Sequence, residues 1–313
     1  MTTSLAREVE HDITVRASAR AVYDLIADVA DWPQVFPPTV HVEHLERGET
    51  GERIRIWATA NGTAKTWTSR RELDPGRLRV EFRQEVSQAP VGAMGGCWLV
   101  EPLSADECRV RLLHDYRPVD DDPEKLAWIE AAVDRNSHAE LAALKATAEG
   151  AHDGLLFGFA DSVEVDGHAR DVFDFINEAD RWSERLPHVA RVRLEEDTPG
   201  LQLLDMDTRT KDGKTHTTTS VRVCLAPTTI VYKQIRVPAL MTLHTGRWQI
   251  DQRPGGGLVV TSRHTVRINE DNITSVLGPG ADVPAAREFV QKALSANSLA
   301  TLGHAKTYAE RRA

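Results

Sequence analysis

Within WTSRREL, residues 67–73, an extended chain puts Trp67, Ser69, Arg71 and Leu73 on one side and Thr68, Arg70 and Glu72 on the other. The second set is an ordinary solvated face. The first places a guanidinium among apolar neighbours, and arginine does not escape burial by losing its proton. Arg71 therefore either meets an acid, for instance on a facing helix, or borders a partly wet pocket. The same question attaches to His114 in ECRVRLLHDY, which shares a face with Val110, Leu112 and Tyr116. It attaches also to Asn136, which follows Ile129 and Val133 at helical spacing. A fixed cation, an imidazole that titrates near neutral pH and two neutral hydrogen-bonding groups suit proton transfer on a hydrophobic ligand that carries polar groups. Each also has a plain structural reading: an ion pair for Arg71, a hydrogen-bonded core imidazole for His114, a helix-face tie for Asn136. Ser69 lacks the strand–turn–helix context of an activated nucleophile, so covalent catalysis is not expected.

The elements that must position this set follow from periodicity. RLRVEFRQEV alternates, with Leu78, Val80, Phe82, Gln84 and Val86 expected to face inward. SARAVYDLIADV reads as an amphipathic helix ended by Trp32 and Pro33. ERIRIWATANGT, KTWTSRREL, GGCWLVEPL and ECRVRLLHDY read as strands, punctuated by Asn61-Gly62 and by the turn Asp74-Pro75-Gly76. LAWIEAAVDRNSHAELAALKATAE reads as a long closing helix. Strand, helix, antiparallel meander and long C-terminal helix predict an α+β fold, a curved antiparallel sheet wrapped around one helix.

The whole pattern occurs twice. ITVRASARAVYDLIADVADWPQVFP begins at 13 and VEVDGHARDVFDFINEADRWSERLP at 163, so Trp32 meets Trp182 and Phe36 meets Leu186. The turn Asp212-Gly213 matches Asn61-Gly62. Ser69 and Arg71 match Ser220 and Arg222, Phe82 and Gln84 match Tyr232 and Gln234, and Trp98 matches Trp248. His114 matches His264, and Asn136-Ser137 matches Asn297-Ser298. Two domains are expected, 1–150 and 155–313, with the boundary in EGAHDG. The second copy departs from the first at Thr218 for Trp67, Leu186 for Phe36 and Val266 for Tyr116. The first copy, with its fuller aromatic set, is therefore expected to be the principal chemical site.

Composition narrows the class. At 313 residues, 41% hydrophobic and 27% charged, the chain reads as an ordinary globular protein. A net charge of -9 argues against general nucleic-acid binding. Cys97, Cys108 and Cys224 are too scattered for a disulfide framework or a zinc site and read as reduced cytoplasmic thiols. No apolar run approaches a membrane span or a signal core, so no membrane association is expected. His41-x-x-His44 is a weak metal pair better read as surface, and with no dinucleotide, Walker or HExxH motif neither a metal nor a cofactor is implied.

The tandem arrangement, W-x-S-x-R on an inner strand, the DWPQVFP segment and the inner His and Asn resemble the didomain aromatase/cyclases of bacterial type II polyketide synthases. These are helix-grip proteins of the START/Bet v 1-like (SRPBCC) superfamily, and the resemblance spans nearly the whole chain. It implies a cofactor-independent, lyase-like enzyme that cyclises or dehydrates an acyl-carrier-bound poly-β-ketone, giving a first aromatic ring through carbons seven and twelve. It implies as partner an acyl carrier protein with a phosphopantetheine-tethered chain, with the pathway's ketosynthase and ketoreductase as further candidates. On that resemblance Arg71 would hold a ketone oxygen, Ser69 would orient it, His114 would move the proton and Asn136 would bond a neighbouring carbonyl. Trp32, Phe36, Trp67, Phe82, Gln84, Trp98 and Tyr116 would bind and fold the chain. Arg222, Ser220, His264, Trp248, Asn297 and Trp182 would form the second-domain pocket. Arg53, Arg55, Arg77, Arg79 and Arg83 are candidates for a basic rim that meets the carrier protein. The competing reading on the same fold is a non-catalytic tandem carrier of a hydrophobic ligand.

Overall fold

The computed structural model describes residues 6–60, 63–209 and 215–313. The turn pairs Asn61-Gly62 and Asp212-Gly213 lie outside the described residues. The chain divides between His152 and Asp153 into two compact units.

In the first unit β1 (Arg7–Val15) leads into α1 (Ala19–Ala27) and a single turn, α2 (Trp32–Val35). A meander follows: β2 (Thr39–Arg47), β3 (Gly51–Ala60), β4 (Thr63–Asp74), β5 (Arg79–Gln84), β6 (Val91–Pro102) and β7 (Cys108–Pro118). The unit closes with α3 (Pro123–Glu149). The strand order is β1-β7-β6-β5-β4-β3-β2, antiparallel throughout. The second unit repeats this with β8 (Leu156–Val165), α4 (Ala169–Asn177), α5 (Trp182–Arg185), β9 (Val189–Thr198), β10 (Leu201–Arg209) and β11 (Thr215–Leu225). It continues through β12 (Thr229–Arg236), β13 (Met241–Gln252), β14 (Leu258–Ile268), α6 (Ile273–Leu277) and α7 (Val283–Glu310). Its order, β8-β14-β13-β12-β11-β10-β9, is the same. The expected tandem helix-grip architecture is what the chain adopts.

Local chemistry sets the helices. Ser18 caps α1 by accepting from the Ala21 amide, and Val22, Tyr23 and Ile26 form its buried stripe. Asp122 caps α3 and Asp282 caps α7, each with proline in the first turn. α3 packs on β1 and β7, and α7 on β8 and β14, so the apolar stripe of each long helix meets the closing strands of its own sheet. Register shifts in β2/β3, β9/β10 and β11/β12 add local twist.

Two expectations are corrected. β5 starts at Arg79 because Leu78 takes a left-handed conformation (φ 52°) that ends the preceding turn, although its side chain still packs on the core. β5 stops at Gln84, where its pairing with β4 ends, and Val86 is exposed rather than inward.

Candidate functional site

The inner arginines are bound by the ends of the first helices. In the first domain Arg71 Nη2 donates to the Ile26 carbonyl at 2.7 Å, and Nη1 donates to Ala27 O at 3.2 Å and to Glu52 Oε1 at 2.6 Å. Its guanidinium lies 4.9 Å from the Trp32 ring centre. Arg222 repeats the geometry on Ile176 O (2.6 Å) and Asn177 O (3.5 Å), beneath Trp182 at 5.1 Å. The carbonyls at a helix C-terminus carry partial negative charge, so a buried cation is well placed there. Of the two readings of Arg71, the structure shows the acid partner, with the arginine itself 2% exposed. The acid it meets comes from β3 rather than from a facing helix. Glu52 in turn bonds His44 at 2.9 Å, while His41 stacks on Trp57, so His41-x-x-His44 forms no joint site. Burial pulls both arginines below the ordinary range, and for Arg71 the Glu52 carboxylate opposes that shift. The second domain has Gln202 where the first has Glu52, bonded to Arg222 at 2.7 Å. Arg222 consequently has neutral acceptors where Arg71 has an ion pair.

The other first-domain candidates, Asn136 excepted, are buried or half-buried on the inner side of the sheet and its helices. Ser69 Oγ donates to the Arg83 carbonyl at 3.0 Å, across the β4/β5 pair. Trp32 meets Phe36 edge-on at 5.4 Å and Phe36 meets Trp98 at 5.9 Å. Trp67 packs on the cluster of Val42, Ile54 and Ile56, and the Gln84 amide reaches Met94 Sδ at 3.7 Å. Tyr116 sits among Leu126, Ile129 and Val133, its hydroxyl without a protein partner. His114 meets the edge of Phe82 and lies 3.4 Å from Ser137 Oγ. Burial depresses His114 to about 4. Asn136 is exposed, which corrects its assignment to the inner face. The buried stripe of α3 runs Leu126, Ile129, Val133, Ser137, Leu141 and Leu144, so the step after Val133 is four residues, not three.

A cavity opens in the second domain, with about 770 Å³ of empty space including its mouth. Ser220, Arg222, His264, Asn297, Trp182 and Trp248, the expected second-domain set, all line it. So do residues that the sequence analysis did not single out as functional. His264 Nδ1 lies 2.9 Å from His244 Nε2 and 3.2 Å from the Tyr232 hydroxyl. His264 Nε2 lies 2.8 Å from Ser298 Oγ and 3.1 Å from Ser262 Oγ. Phe159 stacks on the His264 ring at 4.9 Å. Burial pushes His264 down to about 4 and His244 to about 3, and pushes Tyr232 well above the ordinary phenol. Both imidazoles are therefore neutral at pH 7, and Tyr232 keeps its proton.

Register explains how this cluster forms. Tyr232, Gly246 and His264 lie side by side on β12, β13 and β14. A Cβ at Gly246 would overlap the Tyr232 ring, so glycine lets that ring lie across β13 toward His264. The first domain has the same cross-strand row, Phe82, Gly96 and His114, but Met94 stands where His244 does and Leu112 where Ser262 does. Both exchanges stand at the constant offset of 150 residues and are legible in a position-by-position comparison of the two copies. Thr218, the counterpart of Trp67, lines the cavity, so the departure read as a loss is what makes room.

Of the five candidate rim arginines, four are held by acids: Arg53 by Glu85 and Glu46, Arg77 by Asp74, Arg79 by Glu81 and Arg83 by Asp115. Arg55 lies over Trp57. No helix among the described residues is long and apolar enough to cross a membrane.

Residues 6–149 match a family model described as polyketide cyclase / dehydrase and lipid transport, and residues 165–288 match a second model of that description. The granaticin polyketide synthase bifunctional cyclase/dehydratase of Streptomyces virginiae is 54% identical, with 94% of this chain and 97% of that protein covered. The actinorhodin polyketide synthase bifunctional cyclase/dehydratase of Streptomyces coelicolor is 46% identical, with 95% of each covered. Among solved structures, the di-domain ARO/CYC BexL from the BE-7585A biosynthetic pathway superposes with a TM-score of 0.92 at 60% identity, covering 97% of this chain and 99% of that one.

Proposed function

The chain belongs to the polyketide cyclase/dehydrase family, and from that premise we propose that it cyclises and dehydrates a poly-β-ketone held on an acyl carrier protein. The product is the first aromatic ring, closed between carbons seven and twelve, and the second-domain cavity is where the reacting segment sits. The observation that carries this reading is the buried His264, in hydrogen-bond reach of His244, Tyr232 and Ser298 on the wall of an open cavity.

Aldol closure removes a proton from a carbon between carbonyls and places negative charge on a ketone oxygen. Dehydration then removes a second proton and expels hydroxide, which leaves as water. Neither step changes the oxidation state of the molecule as a whole, so the scheme calls on no redox cofactor. A neutral imidazole is the form that can accept a proton, and the depressed His264 is in that form throughout the neutral range. Arg222 adds a permanent positive charge at the cavity wall, uncompensated by a directly bonded carboxylate, and so favours the developing anion. Trp182 and Trp248 give the chain rigid apolar surfaces against which to fold. Ser220 and Asn297 add neutral hydrogen-bonding groups to the lining. Arg71, by contrast, holds α1 in place through Glu52 and the helix-end carbonyls. The reaction belongs to the cytoplasm, where the three free cysteines stay reduced.

The test is reconstitution with a minimal polyketide synthase, with and without its ketoreductase, products being identified by mass and NMR. The wild-type protein is expected to divert shunt products into a first-ring aromatic. Thr218→Trp, which gives the second domain the first domain's residue, is expected to abolish that diversion while the fold persists. Unchanged products with the wild-type protein, together with tight retention of an unreacted hydrophobic molecule, would favour the carrier reading.

A further inference from the structure

His264 Nδ1 faces two candidate donors, His244 Nε2 at 2.9 Å and the Tyr232 hydroxyl at 3.2 Å, but an imidazole nitrogen has only one in-plane site. Two tautomers are possible. If Nδ1 bears the lone pair, the nearer His244 N–H occupies it and the Tyr232 proton is not needed there. If Nδ1 bears the proton, it donates to His244 and the Tyr232 proton has no acceptor at that atom. The first arrangement is favoured, because His244 Nδ1 is buried without a partner and an orphaned lone pair costs less than an orphaned N–H. In both, the Tyr232 O–H is left over, and Tyr232 lines the cavity.

We infer that Tyr232 is the hydrogen-bond donor to the ligand's ketone oxygen in the second-domain cavity, and that His244 is a positioning residue that frees it by engaging His264. The inference rests on the reading of that cavity as the reaction site. In the dehydration of a β-hydroxy ketone, His264 reacts as the second tautomer, with its proton on Nδ1 toward His244, and the C–H bond beside the carbonyl breaks as its proton passes through the Ser298 hydroxyl to the Nε2 lone pair. The electron pair forms the new C=C bond, the C–O bond breaks, and hydroxide takes one proton back from the network and leaves as water. Tyr232 transfers no proton. It stabilises the charge that gathers on the ketone oxygen, and its upward-shifted pKa keeps it a donor throughout. Gly246 is part of the device, since a side chain there would push the Tyr232 ring away from His264. The first domain has none of this donor pair, having Phe82 and Met94 at the two positions.

Those first-domain residues supply the variants, each known to fit the same register of the same fold. The probe is an N-acetylcysteamine thioester bearing a β-hydroxy ketone, its dehydration followed by enone absorbance with the full-length protein. Tyr232→Phe is expected to lower kcat by about 100-fold or more at unchanged KM, because the bond strengthens only as charge develops. His244→Met is expected to lower kcat by about 10-fold to 100-fold, because Tyr232 then turns to His264 Nδ1. The double variant is expected to be no slower than Tyr232→Phe alone, since His244 acts only through Tyr232. Thermal melts of all three verify folding. Tyr232→Phe at wild-type kcat, or losses that simply multiply in the double variant, overturn the inference. If His264→Gln still abolishes dehydration in that case, the cavity stands as the reaction site and the inference alone is lost. If Thr218→Trp leaves dehydration intact, the cavity reading and the inference fall together.

Discussion

Arg71 and Arg222 occupy the same place for the same reason, yet their partners differ by one atom type. Glu52 gives Arg71 an ion pair in which both side chains are almost wholly buried. Removing one member of such a pair strands the other without solvent, at a cost of about 3–5 kcal/mol. Glu52→Ala should therefore weaken the first domain by that amount in urea unfolding. Glu52→Gln should cost much less, because the second domain already holds its arginine with Gln202 in that role. The histidines make a second prediction at this scale. His244 and His264 are depressed to about 3 and about 4, and His114 to about 4, against about 6.5 in the unfolded chain. Between those values the unfolded state binds more protons, so stability rises with pH there. It is fully present above about pH 6.5 and lost as pH falls toward 4. The carboxyl nearest His264 in effect is Asp161, which opposes the shift without cancelling it. The urea midpoint should drop on going from pH 7 to pH 5, and His244→Met should flatten that drop for the second domain. Alternation alone identified Arg71 and His114 as inward-facing. It did not identify Glu52 as the partner, because charge pairing across β3 and β4 depends on register that the alternating pattern leaves open.

At the scale of elements, the strands were the more legible part and the long helices the less. A strand has only two faces, so one inward residue settles the rest until the strand ends. It failed at Val86 because pairing between β4 and β5 ends at Gln84, and a sequence shows no mark where a partner strand runs out. A helix permits steps of three or four, and the stripe after Val133 could lead to Asn136 or Ser137. The structure takes Ser137, and at the matching place in α7 Ser298 is buried while Asn297 is half-buried at the cavity wall. The consequence is measurable. Asn136→Ala should lie within about 0.5 kcal/mol of wild type, as expected of an exposed helix position. Ser298→Ala removes the closest neighbour of His264 Nε2 and should cost about 1–3 kcal/mol, unless Ser262 at 3.1 Å takes over, in which case Ser262→Ala in the same background restores the full loss.

At the scale of the whole molecule, duplication preserved the scaffold and let the interiors diverge. The clamp arginine, its tryptophan lid and the glycine beneath the central ring are the same in both copies. What differs is volume and polarity: tryptophan against threonine at 67 and 218, and phenylalanine, methionine and leucine against tyrosine, histidine and serine around the inner histidine. The aromatic richness of the first copy suggests a binding site when read from sequence, because aromatic side chains line pockets and fill cores equally well. The structure separates the two uses, since Trp67 packs on aliphatic neighbours where Thr218 borders open space. Ligand stoichiometry should follow the same division. Calorimetric titration with 2-naphthol, a fused-ring aromatic with one hydroxyl, should give one site per wild-type chain and none in Thr218→Trp. Trp67→Thr should destabilise the first domain by less than the cost of about 3–5 kcal/mol for a fully buried tryptophan, since Trp67 is only half-buried against its aliphatic neighbours. It should leave the site in the second domain at its wild-type affinity, because the residues that bind there belong to that domain alone. A 2-naphthol site that survives Thr218→Trp but is lost in Trp67→Thr would reverse the assignment and return the binding cavity to the first copy.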